Sequence, residues 1–186
     1  MRKLNLHYVP MMLPLLIFWI TGVIGLDYGH HWDEPKLLEA VRASVYNGMY
    51  LPTFYNYPSM SYTLGVVSAL PEIIGNIDRN HLNEVVFHGH IAAYQLDNDV
   101  VLLRTRLVFL VVSSLAIVWV YVTMLRWVAS VGIALFSSSV LAFSWEVAYH
   151  TRWIAPDAIL MQFGALFVLC IVQAYQNPAH RAWLWG

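Results

Sequence analysis

The chain has 186 residues, of which 59% are hydrophobic and only 11% charged, and its mean hydropathy is +0.58. A soluble domain covers its surface with about a quarter charged residues, so this composition excludes an ordinary water-soluble globule and points to lipid. A net charge of −1 excludes a basic nucleic-acid footprint, and Cys170, standing alone, excludes an intrachain disulfide or a thiolate metal cluster.

Taken in chain order, the first element is an uncharged stretch over 9–26, preceded by Arg2 and Lys3. It reads as a membrane anchor rather than a cleaved signal peptide, because the apolar run is long and no small-residue cleavage site follows. Residues 36–49 come next, with Leu37, Leu38, Val41 and Val45 forming one apolar stripe, Glu39 and Arg42 facing away, and Gly48 as a stop. In 57–75, Met60, Leu64, Val67, Leu70 and Ile74 recur at helical spacing, while Ser61, Thr63 and Ser68 interrupt the other faces. That pattern predicts an amphipathic helix lying in the interface. A fifth crossing here is the competing reading, and Lys and Arg counts alone lean slightly toward it. From Asn76 to Asp99 the chain is polar, rich in His and Asp, and without clear periodicity. Three more apolar stretches follow, at about 107–125, 127–147 and 158–178, each long enough to span.

The expected fold is therefore an all-α membrane protein of about four transmembrane helices, with a large outer first loop, 27–101, carrying two interfacial helices. With Arg2 and Lys3 inside, all eleven Asp and Glu residues fall outside, and the inner side holds Arg2, Lys3, Arg126 and Arg181.

Two acidic sites then share one compartment. The first lies in Gly29-His30-His31-Trp32-Asp33-Glu34-Pro35, just beyond the first span. Adjacent carboxylates at the mouth of a membrane helix are costly to desolvate and repel each other, which suits a general base working near neutral pH. The bland alternative, as strong on local pattern, is a solvated helix start with Asp33 as N-cap and Pro35 in the first turn. The second is Arg152-Trp153-Ile154-Ala155-Pro156-Asp157, where Asp157 either serves chemistry or favours the macrodipole of the following helix. Arg104 and Arg106 sit where a guanidinium can grip a lipid phosphate bidentately, or simply snorkel to headgroups. His30, His31, His81, His88, His90 and His150 lack the spacing of a helical zinc motif. A divalent cation bridging Asp33, Asp157 and a phosphate stays open as a cofactor.

Set in order, these segments resemble the GT-C superfamily of membrane glycosyltransferases, in particular the protein O-mannosyltransferase family and the lipid A aminoarabinose transferases. The resemblance rests on Trp32-Asp33-Glu34-Pro35 after a span, a short helix ending at Asn47-Gly48, and Phe54-Tyr55-Asn56-Tyr57-Pro58-Ser59-Met60-Ser61-Tyr62. It continues with Arg106 followed by Tyr121, Leu141-Ala142-Phe143-Ser144, and Asp157-Ala158. It implies that Asp33 removes the proton of an acceptor hydroxyl, that Glu34 shapes the site or holds the acceptor, and that Asp157 assists from the opposite wall. Arg106 would steady the site or reach the donor phosphate, Tyr57 and Pro58 would line the groove, and Arg152 would bind substrate. The implied donor is a polyprenyl-phosphate sugar, the acceptor a protein or lipid hydroxyl, and the outcome inversion at the anomeric carbon on the non-cytoplasmic face of the cell's inner or plasma membrane. One base suffices, because the phosphate is already a good leaving group, whereas glycosidases need a second carboxyl to protonate theirs. Family members are several times longer, so the chain is expected to be the N-terminal part of a GT-C transmembrane domain, inactive alone. The rival reading is a non-enzymatic membrane protein, either a transporter fragment or a His-rich metal-binding sensor. Transporters place ionisable groups at mid-span on broken helices, whereas here the acids flank the spans.

Overall fold

The computed structural model describes residues 6–29, 31–48, 59–81 and 84–176. A 3-10 turn, Leu6–Met11, leads directly into α1, Met12–Val23, and together they make an 18-residue stretch of mean hydropathy 1.6. Pro10 and Pro14 are accommodated because the first N–H groups of a helix have no intrahelical partner. The loop after α1 delivers the chain to α2, Glu34–Tyr46, which ends at Asn47 and Gly48 (φ 74°). Asn47 donates its side-chain amide to the Ala43 carbonyl at 2.9 Å, and the Gly48 N–H bonds to the Val45 carbonyl at 3.2 Å, so the expected stop is a C-cap.

The predicted interfacial helix is two helices, α3, Ser59–Ser68, and α4, Leu70–Gly75, interrupted at Ala69. Pro71 explains the break: it has no N–H to continue the ladder, and its ring clashes with the carbonyl four residues back. At 1.5 Å per residue the 10 residues of α3 reach about 15 Å, half of a bilayer's hydrocarbon thickness. The polar stretch that followed without periodicity contains β1, Ile77–His81, and β2, Glu84–Phe87, an antiparallel hairpin with Ile77 opposite Phe87 and Asp78 opposite Val86. Neither Ile-Asp-Arg-Asn-His nor Glu-Val-Val-Phe alternates apolar with polar residues, so neither gives a strand signal. α5, Gly89–Gln95, then returns the chain to α2.

α6, Asp99–Val128, is 30 residues long and starts where the Asn98 side chain accepts from the Val101 N–H at 2.9 Å. At about 45 Å it outreaches a bilayer core, so the span expected at 107–125 is its middle. It stops at Ala129, a left-handed residue (φ 56°) whose N–H bonds to the Leu125 carbonyl. The stretch expected to span at 127–147 is instead a 12-residue helix, α7, Val131–Ala142, followed by a separate α8, Trp145–His150. α9, Pro156–Gln176, opens on a proline, the residue best suited to a helix's first position.

Among the described residues, three helical stretches are long and apolar enough to cross a membrane, Leu6–Val23, Asp99–Val128 and Pro156–Gln176, with α7 a shorter apolar companion. Large apolar side chains such as Ile20, Val111, Phe136, Phe167 and Ile171 face outward on all four, as lipid-facing surfaces do. The result is an all-α integral membrane protein, relieved among the described residues only by the small hairpin.

Pairing along the spans fixes their directions. The Tyr121 hydroxyl donates to the His7 carbonyl, and Phe18, Leu110 and Ile117 share a core with Leu26 and Ala142, so α1 and α7 run against α6. Phe109 packs with Ile154 and Ile159, while the Gln176 side-chain amide donates to the Arg126 carbonyl at 2.7 Å, so α9 runs parallel to α6. One end of the bundle therefore carries Leu26, Arg106 and Ile154, and the other carries His7, Arg126 and Gln176. The helices α2 to α5 sit at the first end: Leu37, Ala40, Tyr62 and Leu64 join the core of Phe109 and Ile154.

Candidate functional site

The acidic segments meet at that first end through a buried arginine. Gly25 (φ 89°) and Gly29 (φ 66°) adopt left-handed conformations that turn the chain sharply after α1. The turn aims two carbonyls inward, and the Arg106 guanidinium donates to both, to Leu26 at 2.6 Å and Gly29 at 2.8 Å. It also donates from Nε and Nη2 to the two Glu34 oxygens, at 2.8 and 2.6 Å. Its remaining face stacks over the Trp153 ring, 4.6 Å from the centroid.

Glu34 is equally occupied. Oε1 accepts from Arg106 and from the Ile154 N–H at 3.2 Å, and Oε2 accepts from Arg106 and from the His31 N–H at 3.1 Å. Both side chains are 1–2% exposed. An ionised carboxylate offers about four lone-pair sites, and four donors fill them. A buried ion pair is tolerated when its remaining lone pairs and protons are satisfied in this way. Glu34 thus ties α2, α6 and the segment before α9 into one knot.

Asp33, one residue earlier, occupies the N-cap position of α2, but its side chain does not cap the helix. It is 13% exposed, with Oδ2 4.0 Å from His31 Nδ1, and its own N–H donates to that same nitrogen at 3.3 Å. The His31 ring lies between Trp32 and Trp153, at centroid distances of 5.7 and 6.0 Å.

Asp157 stands exposed in the first turn of α9, where it complements the helix dipole. It edges a notch of about 100 Å³ shared with Glu146, His150, Thr151 and Met161. Among the described residues no side chain pairs with it. The Glu34–Ile154 bond lies one residue from Asp33 and three from Asp157, so both acids belong to the same end of the bundle.

The other predicted residues divide. Arg152 is half-buried and donates to the Thr21 carbonyl at 2.9 Å, binding the segment before α9 to the end of α1. Arg104 makes a bidentate pair with Glu72, at 2.7 and 3.1 Å, and also donates to the Ser68 carbonyl at 2.9 Å, which staples α3 and α4 to α6. Tyr57 and Pro58, with His30, lie outside the described residues. Among the described residues no group of three or more His, Cys, Asp or Glu side chains is arranged to hold a metal ion. His90 packs edge-on against Tyr46 at 4.4 Å, and His150 lies 3.7 Å from Glu146.

Trp153 is what sequence reasoning missed. It is 9% exposed and touches Arg106, His31 and Tyr149, with the last ring 6.2 Å away. Its adjacency to Arg152 in a short segment before a Pro-led helix was the one available signal.

Neither a curated protein nor a solved structure matches the chain. A family model does: that of dolichyl-phosphate-mannose-protein mannosyltransferases, over residues 87–186, more than half of the chain. The matched stretch holds Arg106, Arg152 and Asp157, and the knot described above joins it to Asp33 and Glu34. The chain belongs to the dolichyl-phosphate-mannose-protein mannosyltransferase family, membrane glycosyltransferases of the GT-C superfamily.

Proposed function

We propose that the chain forms the acceptor-activating part of a GT-C transmembrane domain that transfers a sugar from a polyprenyl-phosphate carrier to a protein or lipid hydroxyl. The observation that carries this reading is the Glu34–Arg106–Ile154 knot, because it holds two acidic segments, far apart in the chain, at one end of the bundle. Asp33 is the general base. The acceptor oxygen forms the new bond to the anomeric carbon, its proton passes to the Asp33 carboxylate, and the carbon–oxygen bond to the carrier phosphate breaks with its electron pair. Attack opposite the leaving phosphate inverts the anomeric centre. Glu34 and Arg106 position rather than react, since each is saturated by the other and by backbone groups. Asp157 faces the acceptor from the opposite wall, and Arg152 holds that wall against α1. The reactive end lies on the non-cytoplasmic side of the inner or plasma membrane, with Arg126 on the other.

The test is transfer from polyprenyl-phosphate mannose to a hydroxyl-bearing acceptor by the full-length protein in liposomes. Asp33→Asn is expected to lower kcat by at least about a hundredfold with little change in donor binding. An undiminished rate would remove Asp33 from the mechanism.

A further inference from the structure

A phosphate-bearing donor asks for a cation, and the structure leaves few to supply it. Of the described cations at the reactive end, Arg106 is committed to Glu34 and two carbonyls, Arg104 to Glu72 and the Ser68 carbonyl, and Arg42 to Asp97 at 2.8 Å. Arg152 is turned onto the Thr21 carbonyl through Nη2, and its Nε is buried without a partner, which sets it in the wall rather than at the surface. Lys36 is different. Among the described residues no carboxylate or carbonyl bonds to its ammonium, whose contact is the face of Trp32, 5.1 Å from the centroid.

We propose that Lys36 is the residue that takes the phosphate of the lipid carrier. This rests on the lipid-phosphate reading above and adds to it a named binding residue, one that the sequence did not single out. Lys36 and Asp33 are three residues apart at the start of α2, a spacing that puts them on the same side of a helical turn. The leaving phosphate and the base would then be served from one turn, with Pro35 stiffening the backbone between them. Trp32 is 72% exposed, and an indole of that kind settles at the headgroup level, where a lipid phosphate also lies. The ring offers the ammonium a cation–π seat without neutralising it, so its charge stays available to an anion. A compact ammonium also suits a phosphate whose position shifts as it becomes a leaving group, since it binds as a point charge rather than as a fixed fork.

The experiment measures binding of radiolabelled farnesyl phosphate to the protein in phosphatidylcholine nanodiscs, with farnesol and inorganic phosphate as competitors. Wild type and Lys36→Arg are expected to bind alike within about threefold, whereas Lys36→Gln binds about tenfold or more weakly. Lys36 is exposed, so Lys36→Gln should fold normally, and an unchanged melting temperature checks this. Farnesol, which lacks the anion, should compete equally poorly in all three. Equal binding of farnesyl phosphate by wild type and Lys36→Gln overturns the assignment to Lys36 and leaves the glycosyltransferase reading in place. Displacement by equimolar inorganic phosphate overturns the lipid as its source. Failure of wild type to bind farnesyl phosphate at all overturns both.

Discussion

Arg106 and Glu34, 72 residues apart in the chain, meet through two charge-assisted hydrogen bonds of 2.8 and 2.6 Å at positions 1–2% exposed. Breaking a buried pair by removing one partner leaves an uncompensated charge, which costs about 3–5 kcal/mol. Glu34→Leu and Arg106→Met are each expected to lower the unfolding midpoint strongly. Glu34→Leu combined with Arg106→Met should be less damaging than the two single changes added together, because no charge is then stranded. Strict additivity in a thermal-unfolding double-mutant cycle would show that the pair is not coupled.

Gly29 offers a milder probe of the same knot. Its positive φ disfavours any residue with a Cβ by about 1–2 kcal/mol, and a Cβ placed there would stand 3.3 Å from the Trp153 ring. Gly29→Ala should therefore lower the melting temperature by several degrees and reduce transfer. Unchanged values for both would mean that the turn adapts without disturbing Arg106.

Trp153 should matter through its ring rather than its N–H. Trp153→Phe keeps an aromatic face for Arg106 and His31 and is expected to retain most of the stability, whereas Trp153→Ala opens a cavity and loses about 3 kcal/mol or more. Equal stability of the two variants, compared by denaturant midpoint, would assign the ring no packing role.

The Arg104–Glu72 pair is partly exposed, 29% and 15%, so its contribution to global stability should be small, about 1 kcal/mol or less. Its local effect should be larger. In Arg104→Ala, hydrogen exchange is expected to speed up across α3 and α4 and to stay unchanged in the half of α6 that ends at Val128. Uniform acceleration along both would contradict a local staple.

How much of this was legible beforehand follows from the physics of each segment. The long apolar runs announced α6 and α9, and Asn47-Gly48 announced the end of α2, because length and cap chemistry are local properties. The fracture of the stretch at 127–147 was not legible, since the left-handed turn at Ala129 and the stop at Ala142 carry no Gly or Pro to mark them. The hairpin at Ile77–Phe87 was lost because neither of its strands alternates apolar with polar residues. At the site, Asp33, Glu34, Arg106 and Asp157 were visible as charged residues beside spans. That Glu34 is saturated, and that Arg106, Arg104 and Arg42 are taken up by acids while Lys36 is not, depends on contacts between residues remote in sequence. Periodicity and motif spacing hold no information about them.

The mechanism requires Asp33 and Asp157 to face one compartment, and two-sided cysteine labelling tests that requirement most directly. In a Cys170→Ser background in sealed vesicles, single cysteines replace Tyr28 beside the first acid, Glu146 beside the second and Trp127 at the opposite end, all three exposed. An impermeant thiol reagent outside right-side-out vesicles is expected to label positions 28 and 146 and to spare 127. Labelling of 28 without 146, or of 146 without 28, would place the bilayer between the two acids and contradict the account.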